Sequence, residues 1–321
     1  MKNDLVALVI ELLNDAGFIV SSRCKARSFD LAARRSDFTL LAKILYNIDG
    51  INEEIARAIK RAAFCLLASP IIVGERKGSF LLEDDVVYHR YGIPAINSHT
   101  LYEYFNEDVS PCVFSATGGL YVTINGEKLK VARKEKELSL GDVASELGVS
   151  RRSVSKYEEG TVSTTIDIAL KLEEFLDITL IEPLEFLKSE ADEPPEITES
   201  GIEDAASSLE RYILSVLEEI GLEIFATSHA PFSAVSLSQS KRRDESVRIL
   251  MGISSYTEQM VKRAKILSSL SHVTKTQSVF VVSGSVKRIQ IEDTVLVAKE
   301  ELKKIKDPEE FTCVIEERLE G

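Results

Sequence analysis

Arg151, Arg152, Ser155 and Lys156 fall on one helical face, spaced i, i+1, i+4 and i+5. An arginine fork matches the O6 and N7 edge of guanine in the major groove, and arginine or lysine can equally hold a phosphate. That is the chemistry of nucleic-acid recognition. The other chemistry-bearing residues form no such group. His89, His99, His229 and His272 are scattered without H-x-x-x-H spacing, and Cys24, Cys65, Cys112 and Cys313 form no C-x-x-C pair or Cys/His cluster. No metal or cofactor is therefore expected, and the cysteines read as reduced thiols of a cytoplasmic protein. Gly118-Gly119 lacks a following lysine-threonine, so it reads as a turn and not a phosphate loop.

The elements that must position the four residues lie directly upstream. Glu127 to Glu137 reads as a charged helix with Leu129 and Ala132 inward. A second helix, Leu140 to Leu147, has Ser139 at its N-cap, Gly148 permits a left-handed turn, and Ser150 caps a third helix running to Gly160. Ala144 is small where two helices cross, and Val143, Leu147, Val149, Val154 and Tyr157 fill the space between them.

Leu138-Ser-Leu-Gly-Asp-Val-Ala-Ser-Glu-Leu-Gly-Val-Ser-Arg-Arg-Ser-Val-Ser-Lys-Tyr-Glu-Glu-Gly160 resembles the Cro/C1-type helix-turn-helix family. The resemblance runs from about Leu129 to Leu187, with Ile166 to Leu176 as a fourth helix and Pro183 to Leu187 opening a fifth. It implies that Arg151, Arg152, Ser155 and Lys156 contact bases, that Ser139 contacts phosphate, and that Arg133 pairs with Glu158. Glu137 and Leu140 stand where the family usually has glycine and a polar residue.

On either side the chain shows one order twice. The first copy is a helix from Asn3 to Asp15, strands at Phe18 to Ser22, Ser28 to Arg35 and Thr39 to Ile48, a helix from Asn52 to Ala68 and a strand from Pro70 to Gly74. The second is a helix from Leu209 to Ile220, strands at Leu222 to Thr227, Pro231 to Leu237 and Ser246 to Ile253, a helix from Tyr256 to Leu270 and a strand from Ser278 to Val282. Asp15-Ala-Gly17-Phe matches Glu219-Ile-Gly221-Leu, Ser28-Phe-Asp-Leu31 matches Pro231-Phe-Ser-Ala234, and Leu82-Glu-Asp84 matches Ile291-Glu-Asp293, which points to a diverged duplication. Asp192-Glu-Pro-Pro-Glu196, inside a run of seven acids from Ser189 to Asp204, cannot form a helix interior and reads as a linker.

That order resembles the restriction-endonuclease-like core. The resemblance puts Asp30 at its first metal-binding aspartate and Lys43 at its catalytic lysine, but Leu41 occupies the second acid's place and Ser233 replaces Asp30 in the later copy. Such chemistry needs two acids at a divalent metal. The whole chain resembles a group of archaeal transcriptional regulators with degenerate nuclease-like flanks.

The expected fold is therefore α/β plus all-α: two restriction-endonuclease-like domains, 1–110 and 204–321, flank a five-helix Cro/C1-type domain, 125–190, with an acidic linker at 191–203. The net charge of −13 leaves only a local basic patch for DNA, so binding should depend strongly on salt. Met1 to Glu11 reads as a helix and not a signal peptide, and no apolar run approaches the roughly 20 residues of a membrane span. The expected partners are double-stranded DNA, a second copy of the chain and an unidentified effector, without a membrane. A sequence-specific, non-enzymatic regulator fits these features. A metal-dependent nuclease using Asp30 and Lys43, or an adaptor of the transcription machinery, are the alternatives.

Overall fold

The computed structural model describes residues 2–187, 207–240, 245–284, 286 and 288–320. The acidic linker lies outside them. Backbone contacts gather the chain into two compact units, one of Met1–Leu45, Gly50–Ile72 and Leu187–Gly321, the other of Tyr46–Asp49 and Val73–Phe186.

The first unit opens with α1 (Lys2–Asp15), which buries Leu5, Val6, Val9 and Leu13 at helical spacing. Strands β1 (Ile19–Val20), β2 (Leu31–Arg35) and β3 (Phe38–Ile44) follow, each antiparallel to the next. In α2 (Glu53–Leu66) the Asn52 side chain accepts a hydrogen bond from Ile55 N–H, and Leu67 ends the helix in a left-handed conformation. β4 (Ser69–Val73) is buried throughout.

In the second unit, β5 (Arg76–Lys77) and β6 (Phe80–Leu81) form a small hairpin. Then come β7 (Val86–Arg90), β8 (Ile93–Ile96), α3 (Ser98–Asn106), β9 (Val113–Ala116) and β10 (Gly119–Val122). The helices α4 (Gly126–Glu135), α5 (Leu140–Leu147) and α6 (Arg151–Glu158) precede β11 (Thr164–Thr165) and α7 (Ile166–Leu176). The strands stand in the order β8-β7-β9-β10-β11. Leu129, Val143, Leu147, Val154, Ala169 and Leu172 share one core with Val122 and Ile124.

No fifth helix forms at Pro183 to Leu187. Asp177 ends α7 in a left-handed conformation, and the chain then runs extended, with Ile181 bridging Ile124. Backbone N–H groups of Glu182 and Leu184 donate to Thr123 and Pro111 carbonyls, which satisfies them across the chain rather than along a helix.

The first unit resumes with α8 (Ser208–Glu219), β12 (Glu223–Ala226), β13 (Ala234–Ser240), β14 (Glu245–Ser255), α9 (Glu258–Thr274) and β15 (Gln277–Ser283). β16 (Gln290–Ile291), β17 (Thr294–Ala298), α10 (Lys299–Leu302) and α11 (Pro308–Glu320) complete it. The sheet runs β12-β13-β14-β15-β17-β16, with β14, β15 and β17 parallel. One core joins the unit's two parts: Phe29, Leu41, Ala62 and Leu66 pack with Phe232, Leu250, Leu267 and Phe280. The helices cross over: α9 lies on β2, and Phe64 of α2 meets Phe225 of β12 edge-on at 6.2 Å. Arg34 Nε donates to Val273 O at 2.7 Å, and Ser28 N–H and Oγ both donate to His229 O.

Candidate nucleic-acid interface

Local sequence shapes the reading head. The Ser139 hydroxyl accepts from Asp142 N–H at 3.2 Å while Asp142 Oδ2 accepts from Ser139 N–H at 2.7 Å, closing a capping box at the start of α5. These hydrogen bonds hold the Asp142 carboxyl below its ordinary range, helped by the nearby Arg151 charge. Gly148 at φ 68° turns the chain, and Ser150 caps α6 by accepting from Ser153 N–H at 3.1 Å. Glu137 takes the left-handed conformation, φ 56°, at the position where glycine is usual, so the α4–α5 turn forms despite its side chain.

On α6 the buried residues Val154 and Tyr157 face the core, while Arg151, Arg152 and Lys156 are exposed. Ser155 is half-buried, and its hydroxyl donates to Glu159 Oε1 at 2.8 Å. The four residues thus lie on one face of α6, which packs against α5. Behind it Arg133 of α4 grips Glu158 at two points, Nε to Oε1 and Nη2 to Oε2, the latter at 3.1 Å, and Nη1 donates to Leu138 O at 2.8 Å. The Glu158 partner raises the already high guanidinium pKa of Arg133.

Asp30 and Lys43 also meet, in a different environment. Asp30, 3% exposed, lies 3.5 Å from Lys43 Nζ through Oδ2 and 3.0 Å from Lys2 Nζ through Oδ1. Ile44 N–H donates to the same Oδ2 at 2.9 Å, and Lys43 Nζ donates to Arg27 O at 2.8 Å. Burial pushes the Lys43 ammonium pKa down, and Asp30 opposes that shift. Nothing local in the sequence ties Lys2, at the start of α1, to Asp30. A divalent metal, which nuclease-like cores imply, does not fit here: the single carboxylate already has an ammonium on each oxygen. Among the described residues no group of three His, Cys, Asp or Glu side chains could hold a metal ion.

The corresponding place in the later part is different again. Asp30 N–H donates to Ala42 O at 2.8 Å, and Ser233 N–H donates to Met251 O at 2.7 Å, so Ser233 makes the same kind of strand contact as Asp30, and Gly252 follows Met251 as Lys43 follows Ala42. Ser233 Oγ donates to Glu210 Oε1 at 2.7 Å. A Cβ on Gly252 would lie 2.3 Å from Phe280 Cε2, so the ring fills the space a lysine side chain would need.

Among the described residues no helix is long and apolar enough to cross a membrane. Residues 2–111 match the PD-(D/E)XK superfamily domain and residues 129–182 match the helix-turn-helix family. No solved structure matches the chain. Curated proteins named "Putative HTH-type transcriptional regulatory protein" match end to end. One from Methanococcoides burtonii is 46% identical, covering 99% of this chain and 97% of its own length. Another from Methanosarcina barkeri is 45% identical over 99% and 98%. A third, from Natronomonas pharaonis, is 41% identical over 100% and 99%. With a nuclease-like N-terminal domain ahead of a helix-turn-helix and relatives alike over the whole length, the chain belongs to this archaeal family of HTH-type transcriptional regulatory proteins.

Proposed function

We propose that the chain is a sequence-specific DNA-binding transcriptional regulator, acting in the cytoplasm as a homodimer. The observation that carries this is α6, which buries Val154 and Tyr157 and turns Arg151, Arg152 and Lys156 outward beside the Ser139 cap. In this reading Arg151, Arg152, Ser155 and Lys156 enter the major groove and Ser139 holds a phosphate. A single head of this kind reads few base pairs, and a two-fold dimer places two of them on half-sites about one helical turn apart. Selection of bound duplexes from a random library tests the reading: an inverted repeat should be enriched, and the Arg151→Ala, Arg152→Ala double variant should select a changed motif.

The α/β parts at 1–110 and 204–321 are, in the same proposal, a duplicated nuclease-like domain without catalytic chemistry, flanking the 125–190 reading domain. Support for the duplication comes from the shared element order and the matching hydrogen bonds of Asp30 and Ser233. Support for the loss of chemistry comes from the two lysines on Asp30 and the Phe280 ring over Gly252. These domains would pair copies, take up an effector or add DNA contacts.

A further inference from the structure

Gly141, the second residue of α5, faces the first residue of α6. A Cβ on Gly141 would lie 2.9 Å from both Nε and Nη2 of Arg151 and 3.1 Å from its Cζ. The Arg151 guanidinium is therefore folded back against the first turn of α5. Asp142, next to Gly141, closes the capping box with Ser139 there, so the guanidinium stands among the groups that open α5. Arg152, one residue on, points about 100° further round α6 and is exposed. Glycine weakens a helix relative to alanine, so its presence inside α5 calls for a steric reason, and the arginine lying over it supplies one.

We propose that Gly141 is a positioning residue for DNA recognition: having no side chain, it seats the Arg151 guanidinium beside Ser139, where it meets a backbone phosphate, and leaves base reading at the start of α6 to Arg152. This assignment rests on the regulator reading and changes it at one residue, moving Arg151 from the base edges to a phosphate. A phosphate contact acts on all sequences alike and steepens the salt dependence of binding, whereas a base contact acts at one position.

The test compares the full chain with Gly141→Ala, Arg151→Ala, their combination, and Arg152→Ala. Each is titrated with the duplex selected by the unaltered chain, over a series of salt concentrations, and each is put through the same library selection. Gly141→Ala should melt at or above the unaltered chain's temperature, since the backbone there accepts alanine. Its plot of log affinity against log salt should be shallower by about one unit, as should that of Arg151→Ala, and the combination should lose no more. All three should select the parental motif, while Arg152→Ala should relax one base position. A Gly141→Ala protein with the parental affinity and slope overturns the assignment, as does an Arg151→Ala protein that relaxes a base position at unchanged slope. Absence of duplex binding by the unaltered chain removes the regulator reading itself, and this assignment with it.

Discussion

Arg133 and Glu158 tie the two ends of the reading head together: one guanidinium makes two hydrogen bonds to the carboxylate that ends α6 and a third to the Leu138 carbonyl in the α4–α5 turn. Their side chains are 12% and 9% exposed, so water screens the pair little. The orientation of α6 is thus fixed from behind by a contact that leaves its outer face open.

Alanine at either position strands the other charge. The expected cost is about 2 kcal/mol, between that of a surface pair and that of a fully buried one. Thermal melts of Arg133→Ala, Glu158→Ala and the charge-swapped Arg133→Glu, Glu158→Arg variant check this. Recovery of part of the loss in the swapped protein is expected; single variants that melt like the parent would show that the pair contributes nothing.

Asp30 is expected to be structural. Plasmid incubated with the chain and Mg²⁺ or Mn²⁺ should stay intact, and cleavage that disappears in Asp30→Ala would revive the nuclease alternative. The same substitution leaves Lys43 buried without its carboxylate and takes the acceptor from Ile44 N–H. A stability loss of about 3 kcal/mol should follow.

How far the sequence announced these sites depends on how local their causes are. Ser139, Ser150 and Asn52 were readable as caps because a cap acts within four residues, and the core residues Val143, Leu147, Val154 and Tyr157 follow one helical period. Phe29 and Phe232, from the matched tetrapeptides, lie 6.4 Å apart in the shared core, a contact that repetition alone does not reveal. Likewise Lys2 on Asp30 and Arg151 on Gly141 are meetings between separate elements. The sequence pattern does not mark β16, β17, α10 and α11, which lie beyond the last strand of the repeated order. The first strand shrank to Ile19–Val20, and the third stopped at Ile44 rather than Ile48.

Glu54 and His229 link α2 to the later part of the first unit, with Nε2 and Oε1 2.7 Å apart. The hydrogen bond from His229 and its charge hold the Glu54 carboxyl below its ordinary value of 4.5. A depressed acid pKa stabilises the fold fully above the unfolded value and less as pH falls through the folded one. Melting temperature should therefore fall more steeply from roughly pH 5 to 3 in the unaltered chain than in His229→Ala. Equal slopes would mean that the pair carries no linkage.

Gly252 offers a contrast with the helical glycine of α5. Phe280 is fully buried and its ring would meet the added methyl, so Gly252→Ala should destabilise the chain by about 1–3 kcal/mol. Denaturant melts read this directly; a variant as stable as the parent would mean that the ring has room to shift.

The central claim is that α6 reads DNA, and selection from a random duplex library at low salt tests it most directly. The account expects an enriched inverted repeat with half-sites about 10 base pairs apart. Arg152→Ala should lose about 1–3 kcal/mol of discrimination at one position of each half-site. Ser139→Ala should weaken all sequences alike. No enriched motif, or a motif unchanged in the Arg151→Ala, Arg152→Ala double variant, would contradict it.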